Sequence, residues 1–100
     1  MGLFRKKIQL KPGANLRDVH LLNADLSGVD LTEANLRGAN LRGANLSGAV
    51  LTGGTNLSGT HLTGANLFGA YLDGVDLSDA DLAGADFTGA HLTDVKGLDK

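Results

Sequence analysis

A five-residue period governs this chain. Leucine recurs at Leu16, Leu21, Leu26, Leu31, Leu36, Leu41, Leu46 and Leu51. One residue is then inserted in the Gly53-Gly54 stretch, and the count resumes at Leu57, Leu62, Leu67, Leu72, Leu77, Leu82, Phe87 and Leu92. Of these sixteen repeats, fifteen are centred on Leu and one on Phe. Two residues before each centre stands a small residue: Ala eleven times, Val three times, and Thr at Thr55 and Thr60. The residue just before the centre is Asn or Asp eleven times, and the residue two after it is Gly eleven times. So strict a period is the mark of a repeat architecture.

A period of five suits neither common element, since an α-helix repeats at about 3.6 residues and a strand at about 2. Apolar residues five apart would wander around a helix, and each interior Gly would cost that helix about 1 kcal/mol. The small residue and the centre, two apart, instead fit one face of a very short strand. Gly, Asn and Asp between such pairs supply turns. Each repeat is therefore expected to be one short edge and one corner. The composition agrees: with no Trp, no Cys and only four aromatic residues, Leu and Ala must supply the interior.

Segments such as Ala34-Asn35-Leu36-Arg37-Gly38, Ala44-Asn45-Leu46-Ser47-Gly48 and Ala80-Asp81-Leu82-Ala83-Gly84 resemble the pentapeptide-repeat family, whose signature is A(D/N)LXX. The resemblance covers Ala14 to Asp94. It implies an all-β fold, a right-handed parallel β-helix of square section with four pentapeptides per coil, hence about four coils. The expected organisation is an N-terminal cap segment over 1–13, the β-helix over 14–94 and a C-terminal tail over 95–100. With four repeats per coil, the first face stacks Leu16, Leu36, Leu57 and Leu77; the second, Leu21, Leu41, Leu62 and Leu82. The third stacks Leu26, Leu46, Leu67 and Phe87, and the fourth Leu31, Leu51, Leu72 and Leu92. The core ladder thus includes Leu16, Leu36, Leu46, Leu57, Leu67, Leu77 and Phe87, with the oversized Phe87 near the C-terminal end, where neighbouring layers can adjust. The Gly53-Gly54 insertion is expected to bulge at a corner and leave the faces in register.

The polar residues point to structure rather than chemistry. Asn and Asp before each centre bond nearby backbone in turns, and stacked in successive coils they are expected to bridge coils as well. His20, His61 and His91 occupy the same turn position. His20 and His61 share a face but lie two coils apart, about 10 Å on strand spacing, too far to ligate one metal. No metal site is expected. Ser and Thr on outward turns have no His and carboxylate placed to activate them, so no catalytic residue is assigned and no enzyme is expected. The glycines are corners, not a phosphate loop, because no Gly-Lys-Ser/Thr opens a helix after a strand. No cofactor site is expected.

Three surface features stand out. Val50 and Tyr71 replace Asn/Asp on the fourth face in successive coils, with Phe68 pointing outward across the same corner; an exposed apolar cluster marks a contact site. Charge is uneven: residues 1–50 hold seven Lys/Arg and four Asp/Glu, and residues 51–100 hold two Lys and seven Asp. Arg17, Arg37 and Arg42 thus face one end, and Asp73, Asp76, Asp79 and Asp81 the other. Finally, the coil ends need capping. Leu3, Phe4, Ile8 and Leu10 are expected to fold over the first coil, with Pro12-Gly13 turning the chain into the helix. The C-terminal end is less protected, which suggests an end-to-end homodimer or a fused neighbour.

The function expected from these features is a non-catalytic structural or protein-binding scaffold presenting flat faces to an unknown protein partner, with Val50, Phe68 and Tyr71 as the contact site. A net charge of −2 does not call for nucleic acid. No apolar run is long enough to span a bilayer, Met1 to Leu10 lacks an apolar signal core, and Lys6 stands where a myristoylation signal on Gly2 needs Ser or Thr. No direct nucleic-acid or membrane partner is expected, and the location read from these features is cytoplasmic. The family resemblance implies an alternative, a DNA-mimic binder of a type II topoisomerase such as gyrase, but the arginines of the first coils and the small net charge depart from a strongly acidic rod. Thr32, Thr52 and Thr93 align as on an ice-binding face, and Asp73 breaks the row.

Overall fold

In a computed structural model the described residues, 8–98, form four stacked coils: coil 1 over 14–33, coil 2 over 34–53, coil 3 over 55–74 and coil 4 over 75–94. The architecture is the right-handed quadrilateral β-helix. Each edge is so short that one residue per repeat pairs with the next coil. The first ladder runs Asn15–Asn35–Asn56–Asp76–Lys96, and the second His20–Asn40–His61–Asp81, all parallel. The third runs Asp25–Asn45–Asn66–Asp86 and the fourth Asp30–Val50–Tyr71–His91. These are the four faces given by counting repeats modulo four. Pairing also continues to Lys96 in the segment after coil 4.

Three backbone bonds recur at each junction. The Leu36 N–H donates to the Asn56 carbonyl (2.8 Å), the Gly38 N–H to the Ser58 carbonyl (3.0 Å), and the Asn56 N–H back to the Ala34 carbonyl (3.1 Å). A fourth bond closes most corners, such as Ala39 N–H to the Leu36 carbonyl at 2.9 Å. That i to i+3 closure, with positive φ at the third residue alone, defines a type II turn. Among the described residues fourteen of the sixteen corners close this way, the exceptions being the Leu51 corner, which holds the insertion, and the Leu92 corner. The third residue of all sixteen has positive φ. Eleven use Gly, and Asp18, Asn23, Glu33, Asp79 and Asp94 adopt the same left-handed backbone with φ between 58° and 63°. The repeating Gly is therefore selected by backbone sign. Asp and Asn tolerate that conformation best among the others, and Glu33 is the outlier.

The interior follows from the period. Leu31, Leu36, Leu41, Leu46, Leu51, Leu57, Leu62, Leu67, Leu72 and Leu77 are fully buried, each with small residues beside it. Leu16 is buried in coil 1. Phe87 is only partly buried, as are Leu82 and Leu92, because coil 4 is the last complete layer. Each fully buried Leu contributes about 1.5–3 kcal/mol.

Thr55 and Thr60 are inside with the alanines. A buried hydroxyl needs a partner, and both have one: Thr60 Oγ1 donates to the Leu57 carbonyl at 2.8 Å. Thr55 holds the insertion. Its hydroxyl lies 2.8 Å from the Thr52 carbonyl and 3.0 Å from that of Leu31, and accepts from the Glu33 N–H at 3.0 Å. The extra residue bulges outward, and pairing is in register on both sides, Val50 with Tyr71 and Asn35 with Asn56.

At the N-terminal end, Lys11-Pro12-Gly13-Ala14 makes the same turn. Pro12 fixes the second position, Gly13 has φ 74°, and the Ala14 N–H reaches the Lys11 carbonyl at 3.2 Å. Pro at that position of a type II turn is favoured because its φ is preset. The expected cap differs: Ile8 and Leu10 stand exposed instead of closing over coil 1. The tight turn after them, with the Gly13 N–H donating to the Thr32 carbonyl at 2.8 Å, ties the chain to the coil just beyond this segment. Leu3 and Phe4 lie outside the described residues.

Candidate functional site

Eleven repeats carry Asn or Asp before the centre, and all eleven use it identically. The side-chain oxygen accepts from the N–H two residues on, as in Arg37 to Asn35 (3.1 Å), Ser47 to Asn45 (3.0 Å) and Thr88 to Asp86 (2.9 Å). That N–H points along the corner and has no backbone acceptor, so the Asx side chain supplies one. These bonds stay within a repeat. Bridging between coils by Asx, expected from stacking, is replaced by the backbone ladder. Ser27 and Thr32 add hydroxyl bonds to Asp25 and Asp30 at 2.8 and 2.6 Å. Hydroxyl donation first, then the N–H bond, holds the carboxyls of Asp25, Asp30, Asp76 and Asp86 below the ordinary range, through Ser27, Thr32, Ser78 and Thr88 respectively. These carboxylates are committed to turns.

Where the Asx rule breaks, the surface changes. Val50 and Tyr71 pair on the fourth ladder. Their corners lack the Asx acceptor, and the N–H groups of Thr52 and Asp73 have no protein partner among the described residues. Such a local bond is worth about 0.5–1.5 kcal/mol. Local rules are broken most often at functional positions. Tyr71 is 42% exposed and Phe68 is 55% exposed on the preceding corner, while Val50 is half-buried. The ring partner of Tyr71 is His91, one coil on: centroids lie 4.5 Å apart and the planes are 10° from parallel. The column thus runs Val50, Tyr71, His91, a strip of ring and methyl surface three coils tall. His91 is legible by adding one coil of twenty residues to Tyr71, a step that the five-residue count alone does not prompt. Asp73 compensates at that corner, accepting the Thr93 N–H at 2.9 Å. Leu22 also stands exposed, at 57%, on a corner of coil 1.

The histidines do not converge. Asn40 pairs with both His20 and His61 on the second ladder, and His91 is on the fourth. Among the described residues no group of three or more His, Cys, Asp or Glu is placed to hold a metal ion. No helix among them is long and apolar enough to cross a membrane.

A rod of stacked, identical corners with a side-chain-filled interior is a β-solenoid, a repeat protein whose surfaces are its only accessible chemistry. Sequence comparison narrows this: the family model described as Pentapeptide repeats matches residues 13–53 and 55–94 in eight copies, breaking at the inserted residue. The chain belongs to the pentapeptide repeat family, and it is a repeat scaffold of that kind. Among solved structures it is similar to alr5209, a pentapeptide repeat protein from Nostoc Pcc 7120. The two are 37% identical, with a TM-score of 0.72, over 80% of this chain and 81% of the other. It is also similar to HetL, a pentapeptide repeat protein involved in heterocyst differentiation regulation, from Nostoc sp. strain PCC 7120. There the identity is 36% and the TM-score 0.55, over 84% of this chain. The chain spans about half of HetL, 47% of its length. No curated protein sequence matches the chain.

Proposed function

We propose that this protein is a non-catalytic binding scaffold that engages a protein partner through the fourth-face corner formed by Val50, Phe68 and Tyr71, extended by His91. The observation that carries this reading is the exposed Tyr71–His91 stack beside Phe68, on a ladder where Val50, Tyr71 and His91 replace the Asx residues that make the turn bond at eleven other corners. Aromatic side chains give large contact area at low entropic cost and are enriched at interface anchors. A rigid rod holds such anchors in place without ordering on binding, which favours affinity. A relative described as taking part in the regulation of differentiation fits a protein that acts through contacts. A cytoplasmic setting belongs to the same proposal and rests on the absence of cysteine, which suits a reducing compartment.

Affinity capture from native lysate tests the site. Wild type is compared with the combined Val50→Ser, Phe68→Ser and Tyr71→Ser variant, whose fold is checked by circular dichroism. Loss of the captured protein is the expected result. Equal capture by both would overturn the assignment.

A further inference from the structure

The shape of the Val50–Tyr71 corner restricts what it can hold. The fourth ladder runs Asp30, Val50, Tyr71, His91 in consecutive coils. The Tyr71 and His91 rings are nearly parallel at 4.5 Å, so one face of Tyr71 is covered by His91. The other face looks toward coil 2, where Val50 is the ladder residue. A valine side chain is shorter than the reach of a tyrosine ring and leaves the outer part of that face open. One coil beyond Val50 stands Asp30. Thr32 bonds the Asp30 Oδ1 through its N–H and its hydroxyl, at 3.0 and 2.6 Å, and neither bond uses Oδ2. The result is a notch floored by Val50. An aromatic face bounds it on one side and a carboxylate oxygen on the other, each about 4.8 Å along the rod at strand spacing.

The charge around the notch has one sign. On the fourth face and its two bounding corners, coils 1–4 carry Asp30, Glu33, Asp73 and Asp94 and no Lys or Arg. Arg17, Arg37 and Arg42 flank the second ladder, on the opposite side of the square. Glu33 leans toward the Val50 coil: a Cβ built on Gly53 would lie 3.2 Å from its Cγ. A cation over an aromatic face is attracted by the ring quadrupole, and in proteins that cation is more often Arg than Lys. A guanidinium is also planar and forks onto a carboxylate. The corner supplies one more point of recognition. An Asx at position 50 would accept the Thr52 N–H, which here has no partner among the described residues. A peptide carbonyl is an acceptor of the kind it needs.

We infer that the partner of this corner presents an arginine on an extended, cationic segment. The guanidinium enters the notch over Val50, with one face against the Tyr71 ring and its N–H edge toward Asp30 Oδ2. A neighbouring backbone carbonyl accepts from the Thr52 N–H. Phe68, 55% exposed on the preceding corner, offers apolar cover to the methylene stem. Glu33, Asp73 and Asp94 draw cationic segments to this face. The inference rests on the reading of Val50, Phe68 and Tyr71 as a contact site and adds the chemistry of what they contact.

An end-blocked peptide of alternating Arg and Gly tests it on the full chain. Its counterpart carries citrulline, which keeps the shape of Arg without its charge. Binding of the dye-labelled peptides is followed by anisotropy up to about 1 mM protein. Tyr71 is the one Tyr in the chain and Trp is absent, so Tyr emission with unlabelled peptide reports contact at this corner. The Arg peptide should bind, change that emission and weaken with added salt; the citrulline peptide should bind several-fold more weakly. Asp30→Asn keeps the oxygen that Thr32 bonds and should weaken binding about four-fold, the effect of one charge at one coil's spacing in water. Tyr71→Leu should weaken it about two- to five-fold. Asp81→Asn makes the same change in net charge on the opposite face and should leave binding unchanged. Equal binding of the two peptides, no binding of either, or an equal loss in Asp81→Asn and Asp30→Asn overturns the inference. Lysate capture judges the contact site separately. No peptide binding, with capture still lost in the triple Ser variant, refutes the arginine and keeps the corner, whereas equal capture by wild type and variant refutes the corner.

Discussion

Glu33 is the residue whose replacement most directly tests the corner geometry. It is the one long side chain held at positive φ, 63°, where eleven other corners use Gly. An L-residue in this conformation costs about 1–2 kcal/mol. Gly removes that strain but loses about 0.5–1 kcal/mol more to backbone entropy. Glu33 is exposed, and its backbone N–H bonds to Thr52 and Thr55 survive the change. The balance favours Glu33→Gly by about 0.5–1 kcal/mol, which for a domain of this length raises Tm by about 2–8 °C. The reverse experiment uses Gly48→Ala. Gly48 has φ 66°, and a Cβ built there meets no atom within 4 Å, so strain is the only consequence. It should lower Tm by a similar amount. Both are measured by thermal unfolding followed by circular dichroism. If Glu33→Gly melts at or below wild type while Gly48→Ala is neutral, backbone sign does not govern the corners and the reasoning fails.

Three further outcomes follow from the interior and the turns. Leu46→Ala should cost about 2–5 kcal/mol by urea denaturation, because backbone ladders on both sides keep the coil from collapsing, and Leu82→Ala in the half-exposed last coil should cost well below that. Thr55→Val should cost about 0.5–1.5 kcal/mol by removing the hydroxyl bonds that tie Leu31, Glu33 and Thr52 together, whereas Thr63→Val should be neutral or stabilising, since the buried Thr63 hydroxyl has no partner among the described residues. Asp25, Asp30, Asp76 and Asp86 titrate below their unfolded value. Their contribution to stability is therefore complete above about pH 3.9 and is lost as pH falls through the lower folded values. Acid unfolding curves should show this loss, and replacing the four with Asn should flatten it.

Most of the architecture is written in one interval. Leu16, Leu36, Leu57 and Leu77 fall on one face by counting alone, and the Gly53-Gly54 insertion is visible as a break in that count. What the count does not carry is sign and partner. Asp18, Asn23 and Asp79 look like ordinary polar substitutions for Gly, and only the backbone reveals that they share its left-handed conformation. Thr55 reads as a small residue in an alanine column, yet its hydroxyl is what clasps the insertion. Of the candidate site, Val50, Phe68 and Tyr71 are conspicuous because they depart from the repeat. His91 hides among two other histidines in the same turn position, and ring stacking is a property of coil height, not of residue type. The posture of Ile8 and Leu10 escapes the sequence for a related reason: apolarity alone does not say whether a segment outside the repeat finds a surface to cover.

The Thr55 clasp has a consequence for how such a rod can change. Because the hydroxyl ties Leu31, Glu33 and Thr52 together, the corner beside it absorbs an additional residue while both neighbouring faces keep their phase. A solenoid grows by whole repeats, and any other increment would rotate everything downstream by a fraction of a turn. This corner is exempt. It is the place where the chain can acquire a longer excursion, and with it a new binding loop, while the coils on either side stay as they are.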